Sequence, residues 1–315
     1  MTLPDSGTLT DRIRLALGDD AALLLDRRPN EYMTSFGTEV VTCRLADGRA
    51  VRLFCKHGSA ARDGSFGHRL GVAYEVEVYR QLLVRSGLST PRFYGGWTGP
   101  AGQALLLIEY LEDACRLEET LQPSDALLAA VTWVAGFQRL AELRRAEMPS
   151  ALTRRRLRHD YYVGWSRRAA DTLARTGPPD DRVEAVREGF ERSLHLLTEA
   201  DLVPVHGELY PHNVLVHRGE VRPIDWESTA LAAGEIDLAS LVERWPVDDV
   251  EACCAAYART RWPDGPPPDF PLTLDMARAY LHFRWIAVGP SPRKPLRWRI
   301  DELCEIGTRL GFLPR

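Results

Sequence analysis

The sequence predicts an α+β fold in two lobes, a small antiparallel-sheet lobe over residues 1–110 and a larger helical lobe over residues 111–315. Two observations predict the sheet. Strand-like segments flank Asp47-Gly48, a typical hairpin turn, and residues 104–111 form an almost unbroken apolar run, as in a strand buried on both faces. A third observation predicts the helical lobe, because apolar residues after this run recur mainly at helical spacing.

The other elements of the predicted sheet lobe follow from local patterning. Residues 9–26 carry apolar side chains at spacings of three and four, which predicts a short amphipathic helix or a pair of helices. Residues 33–45 and 50–58 have strand character and are joined by the predicted turn. Residues 72–87 return to helical spacing and end in a glycine, as helices commonly do.

The predicted helical lobe contains one pair of strands. Residues 214–225 form two short apolar arms around Gly219, which indicates a small hairpin. Pro223 has no backbone N–H, so the second arm is predicted to be an edge strand or to carry a bulge. The helical segments around this hairpin are divided by Pro and Gly residues, including a stiff loop over residues 261–271.

The composition bounds the class of protein. A chain of 315 residues with 45% hydrophobic residues can bury a substantial core. A net charge of −4, without a long charged block or tail, gives no electrostatic footprint for nucleic acid. Six cysteines without a C-x-x-C pair are typical of reduced thiols.

Two further features predict a cytoplasmic protein that does not enter a membrane. Acidic residues interrupt the N-terminal stretch where a signal peptide requires an apolar segment. The longest apolar run, residues 126–137, is shorter than the roughly 20 residues that span a bilayer. The sequence leaves the oligomeric state open.

The stretch VHGELYPHNVLVHRGEVRPIDWES, residues 205–228, carries the chemistry. Asn213 lies five residues after Glu208, and Asp225 lies twelve residues further on. The spacing from acid to asparagine is that of the protein-kinase catalytic loop. Phosphoryl transfer needs oxygen ligands for Mg²⁺ and an acceptor for the proton of the attacking hydroxyl. We therefore expect Asn213 and Asp225 to bind the metal and Glu208 to accept the proton, so that all three are catalytic.

A positive group on the phosphates is the next requirement of this chemistry. Lys56 ends the segment AVRLFCK on the predicted third strand, and it is one of only two lysines among 40 basic residues. The helix that follows offers Glu75 and Glu77 as partners for this lysine. Lys56 and Glu75 are therefore candidate nucleotide-binding residues.

Three more positions are candidates for contacts with the nucleotide. Gly37 lies in the first hairpin, where the backbone can approach the phosphates closely. The apolar run at residues 104–111 predicts a hinge at its end. There the carbonyl of Glu109 and the amide of Leu111 are expected to bind adenine through the backbone.

The segments LFCK, AYEVEVYR, LLLIEYLE, VHGELYPHNVLV and RPIDWESTALAAGEIDLASL together resemble the aminoglycoside phosphotransferase and choline kinase superfamily, whose members have a protein-kinase-like fold. The resemblance extends over residues 37–240 in the order expected for the family. It implies that Lys56 contacts the α- and β-phosphates, that Glu75 orients Lys56 and that Asp237 anchors the catalytic loop. His206 and the Asp225–Glu227 motif match the family pattern, but Glu208 stands where the family usually has Asp.

The resemblance also implies a reaction, the Mg²⁺-dependent transfer of the γ-phosphate of ATP to a hydroxyl of a small molecule such as an antibiotic, a sugar or another metabolite. Only eleven residues separate Asp225 from Asp237, too few for the activation segment on which protein kinases dock a peptide. Candidate residues for contact with the acceptor are Tyr161, Trp165, His282, Arg284 and Trp285. ATP is expected over GTP from the family alone.

Glu208 leaves three interpretations of the function open. The protein is an active small-molecule kinase, a kinase of a Ser/Thr hydroxyl in a natural-product peptide, or a catalytically impaired nucleotide-binding regulator. Glutamate keeps the charge of aspartate but adds one methylene, about 1.5 Å of reach. Lys56, Asn213 and Asp225 are all present, which favours an active enzyme over a regulator.

Overall fold

The structure, a computed structural model, describes residues 3–30, 36–58, 66–177, 180–289 and 296–314. The chain forms two compact units. Unit 1 comprises Met1–Ala126 and His212–Thr229, and unit 2 comprises Leu127–Pro211 and Ala230–Arg315. These compact units are a different division from the predicted lobes, so the lobe boundary at residues 110 and 111 stays a prediction.

The strands of the described residues are β1 (Leu23–Pro29), β2 (Gly37–Arg44), β3 (Ala50–Gly58), β4 (Phe93–Thr98), β5 (Ala104–Glu109), β6 (Cys115–Arg116), β7 (Val203–Val205), β8 (Val214–His217), β9 (Glu220–Pro223) and β10 (Ala230–Ala232). The helices are α1 (Ser6–Leu17), α2 (Val72–Val78), α3 (Val84–Ser86), α4 (Pro123–Leu143), α5 (Ser150–Arg154), α6 (His159–Thr176), α7 (Asp181–Arg192), α8 (His195–Thr198), α9 (Glu235–Leu241), α10 (Val247–Arg261), α11 (Phe270–Val288) and α12 (Leu296–Arg309). This combination of an antiparallel sheet with many helices confirms the predicted α+β class.

Unit 1 is built on a five-stranded antiparallel sheet with the strand order β1-β2-β3-β5-β4. The hairpin of β2 and β3 turns where Asp47-Gly48 predicts it, with Gly48 at a φ of 83° that favours glycine. One face of the sheet packs against α1. The buried side chains of this core are Leu9, Ile13, Val41, Cys43, Leu53, Cys55, Leu105 and Leu107.

The prediction of helix over residues 9–26 is wrong for its second part. Asp5 caps α1 by accepting a 3.0 Å hydrogen bond from the backbone N–H of Thr8, and Gly18 ends the helix at a φ of 63°. Leu23 then begins β1, an edge strand whose backbone pairs with β2. Consecutive leucines fit either a helix or a strand, so the sequence pattern did not separate the two. Of the strand predicted over residues 33–45, residues 33–35 lie outside the described residues.

The predicted helix over residues 72–87 is confirmed with an internal irregularity. A π-helical turn, Tyr79–Leu83, joins α2 to α3. Gly87 closes the segment in the left-handed region at a φ of 71°. The buried side of α2 includes Val72, Val76 and Glu75, so this helix places a carboxylate inside unit 1.

The predicted hairpin after Asn213 is also confirmed, and it forms β8 and β9. Arg218 and Gly219 occupy the turn with φ values of 52° and 80°. In the three-stranded sheet β6-β8-β9, Pro223 ends the edge strand β9, where its missing N–H leaves no gap between strands.

Unit 2 consists of most of α4, the helices from α5 to α12 and a two-stranded sheet of β7 and β10. In the described part of the chain, α4 is the one helix that is long and apolar enough to cross a membrane by length and composition. Half of its most apolar stretch is buried inside the protein, as in the core helix of a globular unit. Its buried side chains include the polar Gln138, which hydrogen-bonds within unit 2. Helix α11 packs against α6, α9 and α12.

Candidate active site

Lys56 lies on the face of β3 opposite the α1 core, because Cys55 beside it points into that core. Its Nζ lies 2.6 Å from Glu75 Oε2 and 2.5 Å from Asp225 Oδ1. The side chains of Lys56 and Glu75 are only 8% and 2% exposed. The structure therefore brings three predicted site residues into one ion cluster within unit 1, in which the Asp225 side chain stays 34% exposed.

The charges in this cluster stabilise one another. Burial alone would lower the pKa of Lys56, but the carboxylates of Asp225 and Glu75 outweigh it and raise that pKa above its ordinary value. The lysine is therefore a permanent cation. Burial raises the pKa of Glu75 despite the charge of Lys56. A single ammonium thus pairs with the buried carboxylate of Glu75 and with the partly exposed carboxylate of Asp225.

Asp225 is held in an unusual backbone conformation. Its φ and ψ are 70° and 60°, in the left-handed region that few residues other than glycine adopt. The backbone N–H of the next residue, Trp226, donates a 3.0 Å hydrogen bond to Glu75 Oε1. The indole N–H of Trp226 donates to the carbonyl of Pro223 at 3.2 Å. These contacts fix the segment that carries Asp225.

Glu227 is a candidate metal ligand that was not among the predicted site residues, although it matches the family motif. It is 1% exposed, and neither carboxylate oxygen has a hydrogen-bond partner among the described residues. Arg69 Nε forms an ion pair with Glu227, 3.7 Å from its Oε1. Burial, and then the charge of Asp225, raise the pKa of Glu227 to about 7. A buried carboxylate without hydrogen bonds is costly unless it binds a cation or takes up a proton.

Asn213 lies at the end of the short 3₁₀ turn Pro211–Asn213, directly before β8. Its backbone carbonyl accepts a 2.9 Å hydrogen bond from the backbone N–H of Ile224, the residue before Asp225. The two arms of the hairpin are therefore tied together at the positions of the predicted metal ligands, both of which lie in unit 1.

The positions predicted to contact the nucleotide lie on the five-stranded sheet or directly after one of its strands. Gly37 begins β2 and pairs with His57, so it lies one register position from Lys56. Glu109 ends β5, and Leu111 follows two residues later with 8% exposure. The backbone N–H of Glu109 donates to the carbonyl of Arg92 at 2.8 Å. The binding roles of Gly37, Glu109 and Leu111 stay predictions.

The catalytic loop of unit 2 is anchored by Asp237, as the resemblance implies. The carboxylate of Asp237 accepts hydrogen bonds from the backbone N–H groups of His206 and Gly207, at 2.8 and 3.0 Å. Gln138 Nε2 adds a third, at 3.4 Å. Burial raises the pKa of Asp237 to about 7, although these donors act in the opposite direction. Gly207 takes a φ of 84°, which explains the glycine at this position.

Glu208 follows this anchored backbone. Its backbone N–H donates to His206 Nδ1 at 3.3 Å, so the imidazole supports the loop. Its carboxylate is 6% exposed, and Oε1 lies 3.5 Å from Arg284 Nη1 on α11. Glu208 belongs to unit 2, whereas Lys56 and Asp225 belong to unit 1.

The residues predicted to contact an acceptor have different surroundings. His282 is buried against Trp298, and burial together with the charge of Arg299 lowers its pKa to about 4. Trp165 is buried as well, so both of these side chains pack the core of unit 2. Tyr161 is partly exposed, and its hydroxyl lies 2.8 Å from that of Tyr280. The segment LTRRRLR, residues 152–158, has exposed arginines at positions 154, 156 and 158.

Glu39, Cys55 and His57 form a second cluster on the other face of the sheet, close enough together to suggest a metal site. However, Arg27 donates to both oxygens of Glu39, at 2.7 and 3.1 Å. His57 Nε2 lies 2.7 Å from Glu39 Oε1. Because the protein's own guanidinium already neutralises this carboxylate, the cluster is a structural hydrogen-bond network.

Comparison with known proteins gives the family. Residues 41–269, well over half of the chain, match the family model described as "Phosphotransferase enzyme family". No curated protein sequence matches the chain closely enough to be reported.

Several solved structures are similar over nearly the whole chain. A choline kinase from Streptococcus pneumoniae has a TM-score of 0.61 at 15% identity, covering 98% of this chain and 99% of that one. A putative aminoglycoside phosphotransferase from Ralstonia eutropha has a TM-score of 0.65 at 12% identity, covering 97% and 98%. An amicoumacin kinase in complex with AMP-PNP and Ca²⁺ has a TM-score of 0.58 at 13% identity, covering 99% and 96%. At these identities the likeness shows a shared fold, which is the predicted protein-kinase-like one.

Proposed function

Because the chain belongs to the phosphotransferase enzyme family, we propose that it transfers the γ-phosphate of ATP to a hydroxyl group of a small molecule. The family confirms the predicted superfamily and enzyme class. The similar structures are named as choline, aminoglycoside and amicoumacin kinases, whose substrates are small molecules with hydroxyl groups. Those names support the class of acceptor proposed for this chain.

The observation that carries the proposal is the ion cluster of Lys56, Glu75 and Asp225. Two carboxylates around one buried ammonium are more than the fold of unit 1 requires, because buried ion pairs seldom stabilise a fold by themselves. In phosphoryl transfer the ammonium binds phosphate oxygens, and one carboxylate orients it. Lys56 has the first role in our proposal, and Glu75 has the second.

A divalent metal fits the residues near this cluster. Asp225 and Asn213 supply carboxylate and amide oxygens, the ligand types that Mg²⁺ prefers. The carboxylate of Glu227 supports the same assignment, since a buried acceptor without a hydrogen-bond donor among the described residues is suited to a cation. When bound, Mg²⁺ would neutralise charge on the transferring phosphate. We propose Asn213 and Asp225 as its ligands, with Glu227 as a third.

Glu208 has the role of proton acceptor. As the acceptor hydroxyl oxygen forms its bond to the γ-phosphorus, the bond from that phosphorus to the leaving ADP oxygen breaks. The hydroxyl proton passes to the Glu208 carboxylate, which later releases it to water. The catalytic loop is held for this step by the bonds from His206 and Gly207 to Asp237.

The nucleotide is assigned to the sheet of unit 1. Gly37 lies beside Lys56 in the register of β2 and β3, which favours close approach of the backbone to the phosphates. Glu109 and Leu111 follow the buried strand β5, and we propose that their backbone carbonyl and amide bind adenine. ATP is proposed over GTP on the family resemblance.

One experiment tests the proposed function. The purified protein is incubated with Mg²⁺ and γ-labelled ATP against a panel of hydroxyl compounds that includes choline, aminoglycosides and sugars, and labelled products are separated. The proposal expects Mg²⁺-dependent label on at least one compound, and no label with Asp225→Ala. Nucleotide binding without transfer to any compound or to water would indicate a nucleotide-binding regulator instead.

A further inference from the structure

Arg284 is a buried charge that the proposed reaction does not yet use. It lies on α11 with its side chain 4% exposed, and its Nη1 lies 3.5 Å from Glu208 Oε1. Its Nη2 donates to the hydroxyl of Tyr210, two residues after Glu208. A buried guanidinium requires a compensating charge, and the carboxylate of Glu208 lies close enough to contribute to it.

Helix α11 contacts the catalytic loop through a second residue, Trp285. Trp285 Nε1 donates to the hydroxyl of Tyr210 at 2.9 Å, and the backbone N–H of Tyr210 donates to the carbonyl of Glu208 at 2.8 Å. The guanidinium of Arg284 lies over the rings of Tyr210 and Trp285, 5.8 and 5.6 Å from their centroids. The position of Tyr210 is therefore set by α11 and not by the loop alone.

A second buried arginine lies against Trp285. The guanidinium of Arg299, on α12, lies 5.2 Å from the Trp285 ring centroid. Arg299 is 2% exposed and pairs with Glu243 at 2.7 Å. Arg284 and Arg299 thus both pack against the aromatic side chains at the catalytic loop. Such supporting contacts are typical of a loop whose side chains must be held in one orientation.

This network restrains a side chain that is one methylene longer than the aspartate that the family resemblance implies at this position. The extra methylene gives Glu208 an additional rotatable bond and about 1.5 Å more reach. An unrestrained glutamate would sample several rotamers, and misplacement by about 1 Å costs roughly 10²-fold in rate where positioning is decisive. A planar guanidinium on one carboxylate oxygen restricts those rotamers.

We propose that Arg284 is a positioning residue that holds the longer Glu208 side chain in the orientation in which it accepts the proton of the acceptor hydroxyl. The inference rests on the proposed function. It makes Glu208 and Arg284 one functional pair in place of a single aspartate. A merely structural Arg284 would affect folding but would not act on turnover through Glu208.

The test is a double-mutant cycle on the full chain. Wild type, Glu208→Asp, Arg284→Gln and the double variant are compared by phosphate release from Mg-ATP with water as the acceptor, and AMP-PNP binding is measured in parallel. Each single variant is expected to lower kcat by about 10²-fold with KM for ATP unchanged. The double variant is expected to be no slower than Arg284→Gln, because residues that act as a unit are strongly non-additive.

Two further variants keep the test decisive if Arg284→Gln folds poorly. Arg284→Lys keeps the charge but loses the fork, and is expected to lower kcat by about tenfold with unchanged thermal stability. Arg278→Gln, on the same helix but paired with Asp275, is the matched control and should leave kcat unchanged. Wild-type kcat in Arg284→Lys, or effects that multiply in the double variant, would overturn the inference alone. A wild type no faster than Asp225→Ala would overturn it together with the proposed function.

Discussion

The backbone N–H of Trp226 donates a 3.0 Å hydrogen bond to Glu75 Oε1, while Glu75 Oε2 accepts from Lys56 Nζ at 2.6 Å. One buried glutamate therefore holds the lysine of β3 and the backbone of the residue after Asp225. Because both contacts lie within unit 1, α2 sets the distance between the proposed phosphate-binding cation and the proposed metal ligand.

Glu75→Gln separates these two contacts. The amide oxygen can still accept from Trp226, but the charge that orients Lys56 is lost. We expect kcat/KM for ATP to fall about 10- to 100-fold, with little change in thermal unfolding. Glu77→Gln is the matched control, because Glu77 lies two residues later on α2 and binds Arg80 and Gln81 at the surface. Equal effects of the two variants would contradict the assignment of Glu75.

Asp225→Ala removes a proposed metal ligand. We expect wild-type protein to bind AMP-PNP more tightly with Mg²⁺ than with EDTA, as measured by calorimetric titration. In the variant this difference should disappear, because the remaining oxygen ligands hold the ion weakly. Asp248→Ala, at an exposed position of unit 2, should behave like wild type. An undiminished Mg²⁺ effect in Asp225→Ala would show that the ion binds elsewhere.

The raised pKa of Glu227 predicts a pH dependence. A metal must displace the proton that this carboxyl holds below a pKa of about 7, so apparent Mg²⁺ affinity should rise about tenfold per pH unit towards neutrality. Glu227→Gln should remove this part of the dependence. Protonation of the nucleotide is common to both proteins, so the ratio of their affinities from pH 5 to 8 isolates Glu227. A ratio that does not change with pH would exclude Glu227 as a ligand.

The raised pKa of Glu227 also makes the stability of the metal-free protein depend on pH, but stability should fall with rising pH whereas Mg²⁺ affinity should rise. The folded pKa of Glu227 lies above its ordinary value of 4.5, so the metal-free folded state binds the extra proton between pH 4.5 and about 7. Its contribution to stability is therefore fully present below pH 4.5 and is lost as the pH rises through 7. In EDTA, the melting temperature of wild type relative to Glu227→Gln should fall over this window. A constant difference would contradict the burial of the charge.

Asp237 is expected to matter for stability. Its two carboxylate oxygens accept from the buried N–H groups of His206 and Gly207, and Asp237→Asn leaves one acceptor oxygen where two are needed. We expect a loss of about 1–3 kcal/mol in the free energy of unfolding, measured by urea denaturation. Asp171→Asn, at an exposed position in α6, should change it by less than about 0.5 kcal/mol. Equal losses in the two variants would contradict the anchoring role.

The parts of the site that sequence predicts are those tied to local spacing. Lys56, Glu75 and Asp225 were each placed by a motif on a recognisable strand, helix or hairpin, and the structure brings them together in unit 1. The resemblance also implied the anchoring contact of Asp237, which the structure shows. The cytoplasmic location stays a prediction.

Three features could not be predicted from the sequence pattern, for physical reasons. Glu227 was visible in the motif, but the fact that no described residue donates a hydrogen bond to its carboxylate depends on how the surrounding chain is packed. The contact between Glu208 and Arg284 joins residues 76 positions apart, and no local period marks such a pair. Edge strand β1 was missed because its three leucines at positions 23–25 fit a helix equally well.

The variant Glu208→Gln tests whether Glu208 accepts the proton in an active phosphotransferase. Transfer of labelled phosphate from Mg-ATP to the hydroxyl panel and to water is measured for wild type and variant, with AMP-PNP affinity determined on the same preparations. We expect product from wild type only, with nucleotide affinity nearly equal in the two proteins. A wild type that turns over no faster than Glu208→Gln would contradict this role of Glu208.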